Sequence, residues 1–131
     1  MNTTTNNPIL NLTQHMATVD QADGGVVEPS NKAAVQAALT FDVIPSSDDI
    51  SIRAGLLARI AQEFWRGRAG TPFVLIGGAP WLMSRLEYEL SLMGMTPVYA
   101  FSKRVSSETI DVNGNVIKTN IFCHAGFVTI G

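Results

Sequence analysis

A single cysteine, Cys123, is all the thiol this 131-residue chain carries. That scarcity excludes an intramolecular disulfide and a thiolate metal cluster, and fits a reducing compartment, with the cytoplasm as the default. Charge is sparse too. Nine Lys and Arg against eleven Asp and Glu leave a formal net charge of -2, and no broad basic face for a long nucleic-acid duplex. Long apolar runs are missing, so nothing is expected to span a membrane. The opening MNTTTNNP lacks both the basic region and the apolar core of a signal peptide, and reads as a disordered tail over residues 1–7. What stands in place of these features is an apolar content of 46%, which excludes a disordered chain. Residues 8–131 are of a length suited to one α/β domain, burying about two-thirds of the surface its unfolded chain exposes.

The organisation is read from periodicity and turn chemistry. Ile9 to Leu12 is a short apolar strand followed by the polar Thr13, Gln14 and His15. Thr18 to Gln21 has capping-box spacing, but Gly24 and Gly25 stop any helix within two turns. Ser30 is placed to cap an alanine-rich helix through Leu39, and Phe41 to Ile44 suits a brief strand or edge segment. Ser46 and Asp49 form a second capping box. The helix after it sets Ile50, Ala54, Leu57, Ala61 and Phe64 on one stripe, with Arg59, Gln62, Glu63 and Arg66 opposite. Phe73 to Ile76 is a continuous apolar run, as a parallel strand covered on both faces requires. Gly77 and Gly78 then let the backbone turn sharply ahead of Ala79, and Pro80 fits the first turn of a helix ending before Gly94. In that helix Leu82, Leu86, Leu90 and Met93 form the buried face, while Ser84, Arg85, Glu87 and Ser91 point to solvent.

The next strand, Pro97 to Phe101, delivers Ser102, Lys103 and Arg104 to the carboxyl edge, and Val105–Val112 and Val116–Phe122 flank the hairpin turn Asn113-Gly114-Asn115. Phe127 to Ile130 closes with a further β-like stretch. The whole predicts a Rossmann-like three-layer α/β sandwich, its sheet mostly parallel with a C-terminal antiparallel hairpin extension.

Chemistry is expected at the carboxyl edge, where ligands of such sheets bind and where the orphan N–H groups of the Pro80 helix point outward. A small anion is the natural guest. Arg104 offers a planar fork to phosphate oxygens, Lys103 a point charge, and Ser102 a hydroxyl that can position a phosphate or a ribose. His15 and His124 can each serve as general acid or base near neutral pH, or simply hydrogen-bond in a loop. Glu108 reads as a cross-strand partner of Arg104 or Lys118. Trp81 can stack on a base or pack, and Tyr88, Tyr99 and the phenylalanines read as core. Two histidines without patterned carboxylate or thiol partners predict no metal site, and no cofactor is expected. The Gly-Gly turn lacks the Lys of a P-loop and the third Gly of a dinucleotide fingerprint.

Three stretches taken together, ILNLTQHMATVDQ, VLIGGAPWLM and VYAFSKRVSSETIDVNGNVIKTNIFCHAGFV, resemble the small Rossmann-like CRISPR-associated proteins of type III systems regarded as ring nucleases. The resemblance rests on Asn11-Leu12-Thr13-Gln14-His15, Gly77-Gly78, Tyr99 to Arg104, Glu108, Asn113-Gly114 and Phe122 to Phe127. Phe101 and Lys103 vary from the family's pattern, and residues 22–70 match only in the order of helix and strand. What it implies is a homodimer that binds a cyclic oligoadenylate and cleaves it without metal, through the substrate's own ribose 2'-hydroxyl. It further implies catalytic roles for His15, Ser102 and Arg104, with ligand contacts from Asn11, Thr13, Gln14, Gly77, Gly78, Ala79, Lys103, Glu108 and His124. Two alternatives stand beside it: a non-catalytic cyclic-nucleotide-binding protein acting as sponge or sensor, a phage-encoded one included, and a structural α/β protein whose glycine turn binds nothing.

Overall fold

A computed structural model describes residues 7–131, so most of the expected N-terminal tail lies outside the described residues. Asn7, its last residue, lies against Gly25 and Gly70. The chain runs β1 (Ile9–Leu12), α1 (Val19–Asp23), β2 (Val26–Val27), α2 (Lys32–Leu39), α3 (Ser47–Trp65), β3 (Phe73–Ile76), α4 (Pro80–Leu92), β4 (Thr96–Ile110) and β5 (Val116–Thr129). These strands form one five-stranded sheet in the order β2-β1-β3-β4-β5, parallel except for the antiparallel β4–β5 pair. The fold is therefore Rossmann-like, as the alternation of elements predicts.

Handedness decides which face each helix covers. From β1 the chain steps outward to β2, whereas from β2 over β1 to β3, and on to β4, it steps the other way. Right-handed crossovers in opposite directions put their helices on opposite faces. So α2, α3 and α4 share one face, where Val35, Leu39, Leu57, Ala61, Leu82, Leu86 and Leu90 pack on Leu10, Leu12, Val74 and Ile76. The other face, with Ile9, Val26, Leu75 and Val98, receives from the described residues a thin layer of Ala17, the α1 segment and Phe127.

Local chemistry accounts for most boundaries. Thr18 caps α1 with a complete capping box to Gln21, and Ser46 caps α3 by accepting from the Asp49 N–H at 3.1 Å. Helix α2 is capped by Asn31 and not by Ser30, its Oδ1 accepting from the Ala34 N–H at 3.1 Å; the two residue types cap equally well, and the helix starts one residue later. Phe41 to Ile44 forms no strand, because Phe41 turns edge-on to Trp81 at 4.7 Å and under the Arg53 guanidinium at 4.0 Å. At the end of α3 it is Trp65 that is buried, its Nε1 donating to the Phe73 carbonyl at 3.2 Å, while Phe64 is half-buried beneath Arg68. The two-residue β2, invisible in the sequence pattern, is held by the Ile9 N–H donating to the Gly25 carbonyl at 2.9 Å.

The last third departs most from expectation. Ser102, Lys103 and Arg104 do not leave the strand; they continue it, since no Gly or Pro between Phe101 and Val105 breaks the extended run. Strand β5 is likewise continuous through Phe127. Because β3 pairs with β4 only from Thr96 to Val98, the rest of β4 and β5 stands out from the sheet as a two-stranded ribbon. Its register steps from Phe101↔Gly126 to Ser102↔His124, leaving Ala125 unpaired as a bulge. Phe101 and Phe122 are accordingly exposed and not core, as is Tyr88, over which Arg85 lies at 5.2 Å.

Candidate functional site at the carboxyl edge

The change of crossover direction opens a crevice between the carboxyl ends of β1 and β3, the place where open α/β sheets bind ligands. A cleft of about 540 Å³ lies there, lined by Thr13, Gln14 and His15 after β1, Gly77 and Gly78 after β3, Thr18 and Gln21 of the α1 segment, and Tyr99 and Ala100 of β4. Gly78 has φ +154°, a conformation that L side chains rarely adopt, so the turn is built for glycine. Ala79 is the N-cap of α4 and offers no side-chain acceptor, while Pro80 at the first turn has no N–H to give. Of this turn only Gly77 and Gly78 line the crevice; Ala79 does not, and Pro80 opens on a neighbouring hollow with Ser84, Glu87 and Tyr99.

The loop after β1 is held from below. Asn11, 1% exposed, accepts on Oδ1 from the Thr13 N–H at 2.9 Å and from the Thr13 hydroxyl at 2.6 Å. Its Nδ2 donates to the His15 carbonyl at 2.9 Å and to the Glu28 carboxylate at 3.0 and 3.2 Å. Glu28 also accepts from the Ala17 N–H at 2.8 Å and pairs with Lys32 at 3.2 Å, and Lys32 donates to the carbonyls of Thr13 at 2.7 Å and His15 at 2.9 Å. Gln14 bonds to Leu39 and Thr40 at the end of α2. Asn11 is therefore turned inward, fixing the loop that presents Thr13 and His15 to the cleft. Glu28 and Lys32, absent from the expected set, complete the support; sequence spacing signals only their i,i+4 pairing, not the loop they hold.

Burial pushes the Glu28 carboxyl up, but the bonds from Ala17, Asn11 and Lys32 outweigh it and hold the group below its ordinary 4.5. A depressed folded-state value contributes stability that is present above the ordinary value and lost as pH falls through the folded one. Thermal stability is expected to drop on acidification below about pH 4.5. In Glu28→Gln the neutral-pH stability is lower and this part of the acid loss is missing; parallel melting curves from pH 7 to 3 would count against the assignment.

Tyr99 is also more than core. Its hydroxyl donates to Glu87 at 2.6 Å, linking β4 to α4 at the cleft wall, and Glu87 is half-buried by that bond instead of facing solvent. Burial, then the hydrogen bond and charge of Glu87, push the phenol well above its usual range, so it remains a donor.

The remaining expected residues lie on the ribbon and not in the cleft itself. Alternation along β4 puts Ser102 and Arg104 on the face of Val98 and Ala100, which is the α1 side, and Lys103 on the opposite face with Tyr99. The basic pair cannot clamp one anion together. Opposite Ser102 on the same face stands His124, packed against Phe127 at 4.9 Å, its Nδ1 buried without a hydrogen-bond partner among the described residues. Glu108 sits farther out, 3.8 Å from Lys118 in an exposed cross-strand pair. Trp81 is 45% exposed and packs with Phe41 by a separate hollow that includes Ile44 and Pro45. Among the described residues no group of three or more His, Cys, Asp and Glu is placed to hold a metal ion, and no helix is long and apolar enough to cross a membrane.

No curated protein and no solved structure matches this chain. The family model of the Uncharacterized protein MJ1673 family matches residues 7–128, which takes in the crevice, its supporting loop and nearly all of the ribbon. The chain belongs to the MJ1673 family.

Proposed function

We propose that the protein binds a cyclic oligoadenylate over the carboxyl edge of its sheet and cleaves it without metal, acting in the cytoplasm as a homodimer. The observation that carries this reading is the convergence, at the crossover switch, of the His15 loop with the Gly77-Gly78 turn. Phosphate suits the glycine turn, where backbone can approach a ligand closely. Arg104 and Ser102 share the sheet face of Ala100, which lines the cleft, and supply a guanidinium fork and a hydroxyl along the path a ring of nucleotides would follow. A ligand with rotational symmetry is best matched by a two-fold dimer.

In the reaction, the ribose 2'-oxygen bonds to the adjacent phosphorus as His15 takes its proton. The bond from phosphorus to the 5'-oxygen breaks, the leaving oxygen is protonated, and a 2',3'-cyclic phosphate remains. Arg104 offsets the charge gathering on the phosphoryl oxygens. A non-catalytic binder, sponge or sensor, is favoured instead by one observation: among the described residues no side chain hydrogen-bonds the exposed His15 ring to orient it. Calorimetric titration with cyclic tetra-adenylate followed by product analysis separates the two, and absence of binding rejects both.

The ribbon geometry makes the site test sharper. Arg104→Ala is expected to weaken binding by about 1.5–3 kcal/mol, the range for hydrogen bonds to charged groups. Lys103→Ala, on the opposite face, is expected to leave affinity unchanged. Wild-type affinity in the Arg104 variant would move the phosphate site elsewhere.

A further inference from the structure

Among the described residues strand β5 is the outer edge of the sheet, so one side of its backbone has no neighbour there along Val116–Thr129. Edge strands in monomers are usually blunted by proline, clustered charge or brevity. This one is 14 residues long, contains no proline, and carries Lys118 as its one formal charge. Its outer half, Val116-Ile117-Lys118-Thr119-Asn120-Ile121-Phe122, has the same chemical order read from either end: two apolar residues, a polar one, threonine, a polar one, two apolar residues. A strand of that kind is complementary to itself when laid antiparallel.

The hydrogen-bond phase permits that pairing. At the turn the Asp111 N–H donates to the Asn115 carbonyl at 2.9 Å, so pairs in step with Asp111–Asn115 exchange bonds across the ribbon. Ile117, Thr119 and Ile121 then spend their backbone groups on β4, and those of Val116, Lys118, Asn120 and Phe122 face outward. We propose that a second copy of this chain adds to the β5 edge, antiparallel about a two-fold axis through Thr119, joining two ribbons into one four-stranded sheet.

About that axis Lys118 bonds the partner's Asn120, and Val116 bonds the partner's Phe122. On one face the row Thr109–Ile117 continues into the partner's Ile121 and the partner's Val105, covering β-branched side chains that are otherwise exposed. On the other face Glu108–Lys118 continues into the partner's Asn120 and the partner's Ser106, with no like charges opposed. Moving the axis to Ile121 sets Lys118 against the partner's His124 and Val116 against the partner's Gly126. Moving it to Ile117 leaves almost no strand to pair. The β5 edge lies apart from the cleft, so this dimer stands whether or not the ligand reading does.

Analytical ultracentrifugation of the ligand-free full chain is expected to show a dimer that dissociates on dilution. Lys118→Pro, which removes an outward N–H and no bond to β4, is expected to give monomer with an unchanged far-ultraviolet circular dichroism spectrum. In a Cys123→Ser background, Thr119→Cys is expected to form a disulfide-linked dimer under mild oxidation, because residues facing each other across such an axis approach to about 4.5 Å between Cα atoms. Ser107→Cys in the same background, which would report pairing through the β4 edge or face-to-face packing of the ribbons, is expected not to cross-link. A monomer at every concentration, a dimer indifferent to Lys118→Pro, or cross-linking at Ser107 in place of Thr119 overturns the proposal.

Discussion

His15→Ala is expected to slow single-turnover cleavage of cyclic tetra-adenylate by about 100-fold or more, the contribution usual for a positioned general base, while affinity stays near that of the wild type. The split between rate and affinity is what matters. The backbone of the 13–15 loop is held by Asn11 and Lys32 through carbonyl and amide groups, not through the imidazole, so removing the ring leaves the loop in place. Unchanged turnover in this variant would leave His15 as a loop residue. A parallel loss of affinity and rate would assign it to binding.

Asn11→Ala is expected to act on the whole molecule. The side chain is almost fully buried and ties together Thr13, His15 and Glu28; its loss strands the Thr13 N–H and leaves the Glu28 carboxylate short of a donor. Breaking a network of this kind costs about 2–4 kcal/mol. For a domain of this size the melting temperature falls by roughly 10 °C. Thermal unfolding of the ligand-free chain measures it. A change of less than about 0.5 kcal/mol, the usual size for a surface position, would mean that Lys32 and the α2 terminus carry the loop alone.

Much of the fold was legible because its signals are local. An unbroken apolar run marks Phe73–Ile76, glycine and N1 proline mark the turn into α4, and the Thr18 and Ser46 caps mark α1 and α3. The gathering of Thr13, His15, Gly77 and Gly78 in one cleft was legible for the same reason, since parallel strands send all their carboxyl ends to one edge. What was not legible depends on partners far along the chain. Nothing near Glu28 announces that it will accept from Ala17 and Asn11, and nothing near Tyr99 announces Glu87. The course of Ser102 to Arg104 was misread because a strand's end is set by what pairs with it. Here β5 goes on pairing long after β3 has stopped, and alternation then parts Lys103 from Arg104.

The short overlap of β3 with β4 also divides the molecule's stability. Opening the ribbon beyond the bulge breaks, among the described residues, only bonds between β4 and β5 and uncovers none of Leu10, Val74 or Ile76, so it can proceed while the packed sheet stays shut. Two cooperative units with unequal opening free energies thus share one chain, the smaller belonging to the arm that carries Arg104 and His124. Whatever closes over that arm, a ligand on one face or a second copy along the edge, raises the smaller of the two. Engaging a partner and holding the arm shut then draw on the same free energy.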